Sequence, residues 1–301
     1  MQKDTKGLLL KGIGGFYYVE TDCGVVECKA RGIFRNKDLS PLVGDRVLIE
    51  KTEDGKGVIN EILPRKNQLR RPPVSNLDQL IFVVSICEPY PNTLVLDKLI
   101  AIAEYKKIDP VIVITKTDIQ SGDSLCDCYA SAGFRTFLVS GSAPETAEPV
   151  KQLLEGKVSA FTGNSGVGKS TLLNNIDQNL SLETADISKK LGRGRHTTRQ
   201  VELYKLDNGV YVADTPGFSA MDMDRYEIIL KDDLQYCFRE FEHYLGKCQF
   251  HGCSHTAEKG CAVLEAVREG KIQKSRHESY VSMYEDAKKL KEWEYSSKNT
   301  K

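Results

Sequence analysis

The chain has 301 residues, 28% of them charged and 8% aromatic, and its 42 Lys and Arg are balanced by 42 Asp and Glu. That length allows two or three compact domains, the composition is ordinary for a soluble globular protein, and zero net charge excludes any global attraction to nucleic acid or anionic lipid. Locally, residues 1–71 carry 14 basic against 10 acidic side chains and residues 72–160 carry 7 against 11, so any nucleic-acid contact must come from patches.

From Leu8 to Ile62 five short strand candidates, GLLLK, FYYVE, VVECKA, DRVLIE and GVINEI, are separated by Gly, Asn and Asp turns. Five short strands with interleaved basic residues suit a small barrel of the OB type. The segment PRKNQLRRPP, 64–73, reads as a basic Pro-flanked linker. Beyond it the pattern becomes strand–helix alternation. LIFVVSI (80–86), PVIVIT (110–115), FRTFLVS (134–140), VSAFTG (158–163), VELYKL (201–206) and VYVADT (210–215) are apolar strand candidates, and Leu96, Leu99, Ile100 and Ala103 form a helical stripe. This predicts a parallel or mixed sheet with helices on both faces. Past residue 230 helical patterns surround a Cys/His cluster.

GNSGVGKS, Gly163 to Ser170, follows an apolar strand and opens a helix, which is the context a phosphate loop requires. Gly163, Asn164, Ser165, Gly166, Val167 and Gly168 would turn backbone N–H groups toward phosphate oxygens, with Thr171 at the start of the helix. Lys169 would reach the β- and γ-phosphates, and the Ser170 hydroxyl would ligate Mg²⁺. About 45 residues on, DTPG places Asp214 to hold Mg²⁺ through water and Gly217 to sense the γ-phosphate. Between them SKKLGRGRHTTR, 188–199, has five basic residues and no acid. Thr197 or Thr198, with Thr198 preferred, would complete the Mg²⁺ shell, and the same charges could meet RNA phosphates. Phe218 stands where many GTPases place a water-orienting Gln, so His196 is the candidate for that duty. Slow intrinsic turnover, with stimulation by a partner, is the expected consequence.

Guanine specificity comes from TKTD. The Asp118 carboxylate can accept from both guanine N1–H and N2, whereas adenine lacks both donors. Lys116 can lie against the ring, and Thr115 replaces the usual Asn of N-K-x-D, with Thr117 completing the motif. The loop SGS, beginning at Ser140, would offer a backbone N–H to guanine O6. The order is permuted: base motifs precede the phosphate loop.

Cys248, Cys253, His255 and Cys261 are spaced x4, x1 and x5, a closed structural-zinc set, with His251 as the rival imidazole. Other cysteines, such as Cys23, Cys28 and Cys87, read as buried small hydrophobes. Lys271, Lys274, Arg276, Lys288, Lys289 and Lys291 read as a solvated helical face. MQKDTKG lacks the apolar core of a signal peptide and no stretch approaches a membrane span, so a reducing cytoplasm and no membrane partner are expected.

GNSGVGKST, GRGRHTTR, DTPGF and the Cys/His cluster together resemble the ribosome small-subunit-dependent GTPase A family (RsgA, also YjeQ or YloQ) over nearly the whole chain. The resemblance implies a late assembly factor of the small ribosomal subunit that binds rRNA, hydrolyses GTP to GDP when docked, and leaves. The expected organisation is an OB-type RNA-binding barrel (1–70), a circularly permuted α/β P-loop GTPase domain (71–228) and a mostly helical zinc-binding domain (229–301), acting as a monomer. A P-loop small-molecule kinase would share GNSGVGKS but has no need of TKTD, and a non-catalytic RNA-binding module would release no phosphate.

Overall fold

The computed structural model describes residues 4–32, 34, 40–70, 72–177, 201–206, 209–214 and 227–290. Five strands open the chain: β1 (Thr5–Ile13), β2 (Phe16–Thr21), β3 (Gly24–Ala30), β4 (Arg46–Lys51) and β5 (Gly57–Ile62). They run in the order β1-β2-β3-β5-β4, and β1–β4 pairing closes the ring. Only β3 and β5 are parallel in this set. Leu9, Val19, Val47, Ile49 and Ile59, fully buried, fill the interior, because alternate residues of a strand face one side. Closure removes the unpaired edges that five separate short strands would expose. The barrel expected from the strand spacing is therefore present. Cys28 is buried, but Cys23 is exposed, because it sits in the turn between β2 and β3 rather than on an inward strand position.

The basic segment after the barrel is more structured than a spacer. It contains β6 (Gln68–Leu69), paired antiparallel with β7 (Val74–Ser75). Asp45 is fully buried, and Arg65 meets both its oxygens at 2.7 Å while the Ser75 hydroxyl donates to one at 2.6 Å. A buried carboxylate needs such partners, and satisfying Asp45 ties the segment to the barrel.

The second sheet comprises β8 (Gln79–Ser85), β9 (Asp109–Thr115), β10 (Arg135–Leu138), β11 (Val158–Thr162), β12 (Glu202–Lys205) and β13 (Tyr211–Asp214). Their order is β10-β9-β8-β11-β13-β12, all parallel except β12. The central strands β8, β9 and β11 are buried on both faces. Leu80, Phe82, Ile112 and Ile114 belong to one core, whereas Ile81, Val83, Val111 and Val113 belong to the other. The first face receives α1 (Thr93–Tyr105) and α2 (Asp123–Ser131); the second receives α3 (Glu148–Leu154) and α4 (Lys169–Ile176). On α1 the stripe Leu96, Leu99, Ile100 and Ala103 is buried, and each large member contributes roughly 1.5–3 kcal/mol. The Asn92 side chain caps α1 by accepting from the Val95 N–H.

One register pair, Lys11 with Glu202, joins β1 to β12 and makes the barrel and the second sheet a continuous eleven-stranded ladder. Flanking it, Lys11 pairs with Glu202 at 3.0 Å, and Glu20 of the barrel accepts from Lys205 at 2.7 Å and from the Tyr211 hydroxyl.

Past residue 230 lie α5 (Lys231–Leu234), two 3₁₀ turns, α6 (Ala262–Arg268) and α7 (Lys274–Lys288). Lys274, Lys288 and Lys289 on α7 are exposed and pair within the helix, as a solvated face should. Arg276 departs from that reading. Its side chain is 1% exposed, bonded to Asp97 of α1 and Glu240, and stacked on Phe238, Phe134 and Tyr129. A guanidinium spaced among lysines gave no sign of this partner, 179 residues away. Lys291 lies outside the described residues.

Candidate nucleotide and metal sites

Because β8, β9, β11 and β13 are parallel, their C-terminal ends Ser85, Thr115, Thr162 and Asp214 share one sheet edge. Three positions of the phosphate loop depend on glycine. A Cβ on Gly163 would lie 2.4 Å from the Val83 carbonyl oxygen, and Gly166 at φ +80° and Gly168 at φ +89° adopt left-handed backbone that a side chain would strain. Asn164, Ser165 and Gly166 are exposed, Val167 is buried, and Ser170 and Thr171 are half-buried in the first turn of α4. Lys169 directs its ammonium toward the Gly163 carbonyl at 3.4 Å, across the mouth of the loop.

Thr115 joins this loop to the base motif. It is buried, and its single hydroxyl proton is shared between the Val167 carbonyl at 2.5 Å and the Val84 carbonyl at 3.1 Å. The bracing that an Asn amide would give is thus supplied by a hydroxyl. Lys116, at φ +61°, donates to the Glu88 carbonyl and so holds the loop between β8 and α1 beside the phosphate loop. Thr117 donates its N–H to the Val139 carbonyl at 3.5 Å. Asp118 is exposed and accepts from the Gly141 N–H at 3.1 Å and the Ser140 hydroxyl at 3.4 Å, which brings the TKTD and SGS loops together. Ser140 is buried, and its N–H is taken by the Thr146 hydroxyl at 3.0 Å. Asp214 closes β13 in register with Glu202. His196, Thr197, Thr198, Gly217 and Phe218 lie outside the described residues.

In the tail, Cys248, Cys253, His255 and Cys261 bring their ligand atoms within 4.8 Å of one another. His255 Nδ1 is 3.5 Å from Cys248 Sγ and 3.4 Å from Cys261 Sγ. His255 Nε2 faces Gln235 Oε1 at 3.0 Å, which fixes the proton on Nε2 and leaves the Nδ1 lone pair among the sulfurs. The left-handed backbone of His255, φ +58°, has its carbonyl held by His277 Nε2 at 2.8 Å. Burial lowers the His255 pKa, which keeps the imidazole a neutral donor, and pushes the Cys253 thiol up to about 12, so a cation beside Cys253 would be what holds it as a thiolate. Three sulfurs and one imidazole, with no fifth donor among the described residues, are compatible with structural zinc, which would act as a cross-link. His251 is exposed and outside the cluster.

The RsgA N-terminal domain model matches residues 6–59 and the RsgA GTPase model matches residues 62–224. The chain belongs to the RsgA GTPase family. A small ribosomal subunit biogenesis GTPase RsgA from Caldanaerobacter subterraneus subsp. tengcongensis is 45% identical over 295 residues, covering 97% of this chain and 99% of that one. Another from Clostridium perfringens (strain 13 / Type A) is 43% identical over 284 residues, covering 93% and 97%. Among solved structures, YjeQ from Thermotoga maritima superposes with TM-score 0.81 at 35% identity, covering 96% of this chain and all of that one. YloQ, described as a circularly permuted GTPase, gives 0.78 at 33% identity, with 96% of each covered. This RsgA chain is accordingly a GTP hydrolase with a circularly permuted sheet, and Mg²⁺ accompanies GTP in such enzymes.

Several residues that shape the RsgA sites escaped the sequence reading. Gln235, which orients His255, carries no spacing signal, since it lies 20 residues away. The Thr146 hydroxyl, which accepts from the Ser140 N–H, and the Glu88 carbonyl, which accepts from Lys116, belong to no motif. Among the described residues, no helix is long and apolar enough to cross a membrane.

Proposed function

We propose that this GTPase acts in biogenesis of the small ribosomal subunit, binds ribosomal RNA, and turns over fastest when docked on that subunit. The curated relatives bear that role in their names. In this reading residues 1–70 and 229–301 contact RNA on either side of the nucleotide domain, 71–228, and the protein works as a cytoplasmic monomer.

The observation that carries the nucleotide assignment is the hydrogen bond from Thr115 to Val167, which couples a base-reading motif to a phosphate loop 52 residues downstream. Gly163 to Gly168 would cradle the phosphates, with Lys169 on the β- and γ-oxygens and Thr171 behind them. Ser170 and Thr198 would ligate Mg²⁺, with Asp214 acting through water, Gly217 reading the γ-phosphate and His196 orienting the attacking water. Asp118 would accept guanine N1–H and N2. That exchange would release the Gly141 N–H, now bonded to Asp118, to meet guanine O6. Lys116 would cover the ring face. Cys248, Cys253, His255 and Cys261 would hold one Zn²⁺.

The test is phosphate release from GTP with and without purified small subunits, alongside Asp118→Asn assayed with GTP and XTP. Stimulation by subunits, and a switch of the variant toward xanthine, whose C2 carbonyl accepts where guanine donates, are expected. Equal rates with and without subunits would overturn the docking role; unchanged GTP use by the variant would overturn the base assignment.

A further inference from the structure

We infer that Phe250, on the turn between Cys248 and Cys253, is a stacking platform for an unpaired base of single-stranded RNA. The inference rests on the RNA-bound function proposed above and names one contact within it. Phe250 is 56% exposed, and it makes no ring contact with any described aromatic. Packing therefore offers little reason for a phenyl ring at this position. Its backbone is nonetheless well held. The neighbouring Gln249 N–H donates to the Gly260 carbonyl at 2.9 Å, and the Ala262 N–H meets Cys248 Sγ at 3.4 Å, so the metal-ligand cluster and a backbone bond brace both sides of the turn. A flat apolar face on a rigid support loses little conformational freedom when a base stacks on it.

The charges around the ring fit the same partner. The Gln249–Gly260 bond joins the chain neighbours of Phe250 and Lys259. Lys247, His251 and Lys259 all belong to this loop, and none has an ion pair with a described residue. The one acid between 247 and 260, Glu258, is turned inward. It accepts from the N–H groups of Ser254 at 2.7 Å, Thr256 at 3.0 Å and Ala257 at 3.1 Å, and from the Ser254 hydroxyl. On the neighbouring helices several cations are paired: Arg268, Lys271 and Lys274 meet Glu265, Glu269 and Glu278. The loop thus presents one aromatic face together with two lysines, Lys247 and Lys259, that have no ion pair with a described residue. That combination suits a nucleobase and its phosphates better than an apolar protein surface, which would strand the charges.

The experiment titrates zinc-loaded, full-length protein with labelled oligouridylate over a range of salt concentrations. Phe250→Leu, Phe250→Trp and Lys259→Gln are compared, and zinc content is measured for each. Phe250→Leu is expected to weaken binding by roughly 5- to 100-fold with the salt slope unchanged, because stacking carries no counterions. Phe250→Trp should bind at least as well as the parent. Lys259→Gln should bind more weakly and reduce the slope by about 0.7. Parental affinity in Phe250→Leu, with zinc retained, overturns the inference while leaving RNA binding intact. Parental oligonucleotide binding combined with weakened binding to whole subunits would assign the ring to a protein contact instead, and also overturns it. Failure of the parent itself to bind RNA overturns the RNA reading from which the inference starts.

Discussion

Arg276 donates to Asp97 at 2.6 Å across 179 residues of chain, with both side chains 1% exposed. The tail is thereby fastened to α1, whose other residues Val95, Leu96 and Leu99 line a cleft that also contains Gly163 and Asn164 of the phosphate loop. Glu240 binds the same guanidinium at 2.8 Å and Tyr129 donates to the same aspartate at 2.9 Å. Arg276→Met should cost about 3–5 kcal/mol of stability, because it leaves two carboxylates buried without a cation. Adding Asp97→Leu and Glu240→Leu should recover most of that loss. Urea unfolding of the single and triple variants measures both.

Thr115 offers a second, more local prediction. Thr115→Val keeps the shape and removes the hydroxyl, so the Val84 and Val167 carbonyls lose their donor. GDP affinity should fall about tenfold, equivalent to one net hydrogen bond of about 1.4 kcal/mol. Thr115→Ser should bind normally. Calorimetric titration with GDP distinguishes the three proteins.

Acid should loosen the seam between barrel and sheet. Burial raises the Glu20 carboxyl, but hydrogen bonds from Lys205 and Tyr211 outweigh it and hold Glu20 below its usual 4.5. A carboxylate lowered in the folded state adds stability that is fully present above 4.5 and is lost as pH falls through the lowered value. Hydrogen exchange of β1 and β12 amides should accelerate over that window, and Glu20→Gln should flatten the pH dependence.

Metal removal provides a fourth test. One Zn²⁺ per chain is expected by elemental analysis, and a strong chelator should unfold the turns around Cys248 and Cys261 together with α6, whose start is capped by the Cys261 sulfur. GDP affinity should survive, since the core beneath the phosphate loop, built from Ile81, Val83, Val167, Leu172 and Leu173, contains no residue of the tail. Circular dichroism and GDP titration on the chelated protein read the two effects.

The sequence was most legible where a local pattern reports a local cause. Continuous apolar runs located β8 and β9, the stripe from Leu96 to Ala103 located α1, and turn residues located the barrel strands. The phosphate and base motifs were legible because each is a short run at a strand end. What could not be read depends on distance in the chain. Neither the Asp45–Arg65 clasp within a supposed spacer nor the burial of Arg276 has a sequence period, since each is fixed by groups from other elements. Cys23 is exposed because its place in a turn, not its apolar side chain, sets its burial.

The strand order also sets a timetable for synthesis. Of the second sheet, β8, β9 and β10 leave the ribosome first and can pair with one another, but the other edge of β8 finds its neighbour only when β11 arrives. Until then a nascent chain holds the base-reading loops beside an open, apolar strand edge and has nothing to grip a triphosphate. Ligand capture can therefore begin only late in translation, once the half of the sheet that bears charge-binding loops has joined the half that reads the purine.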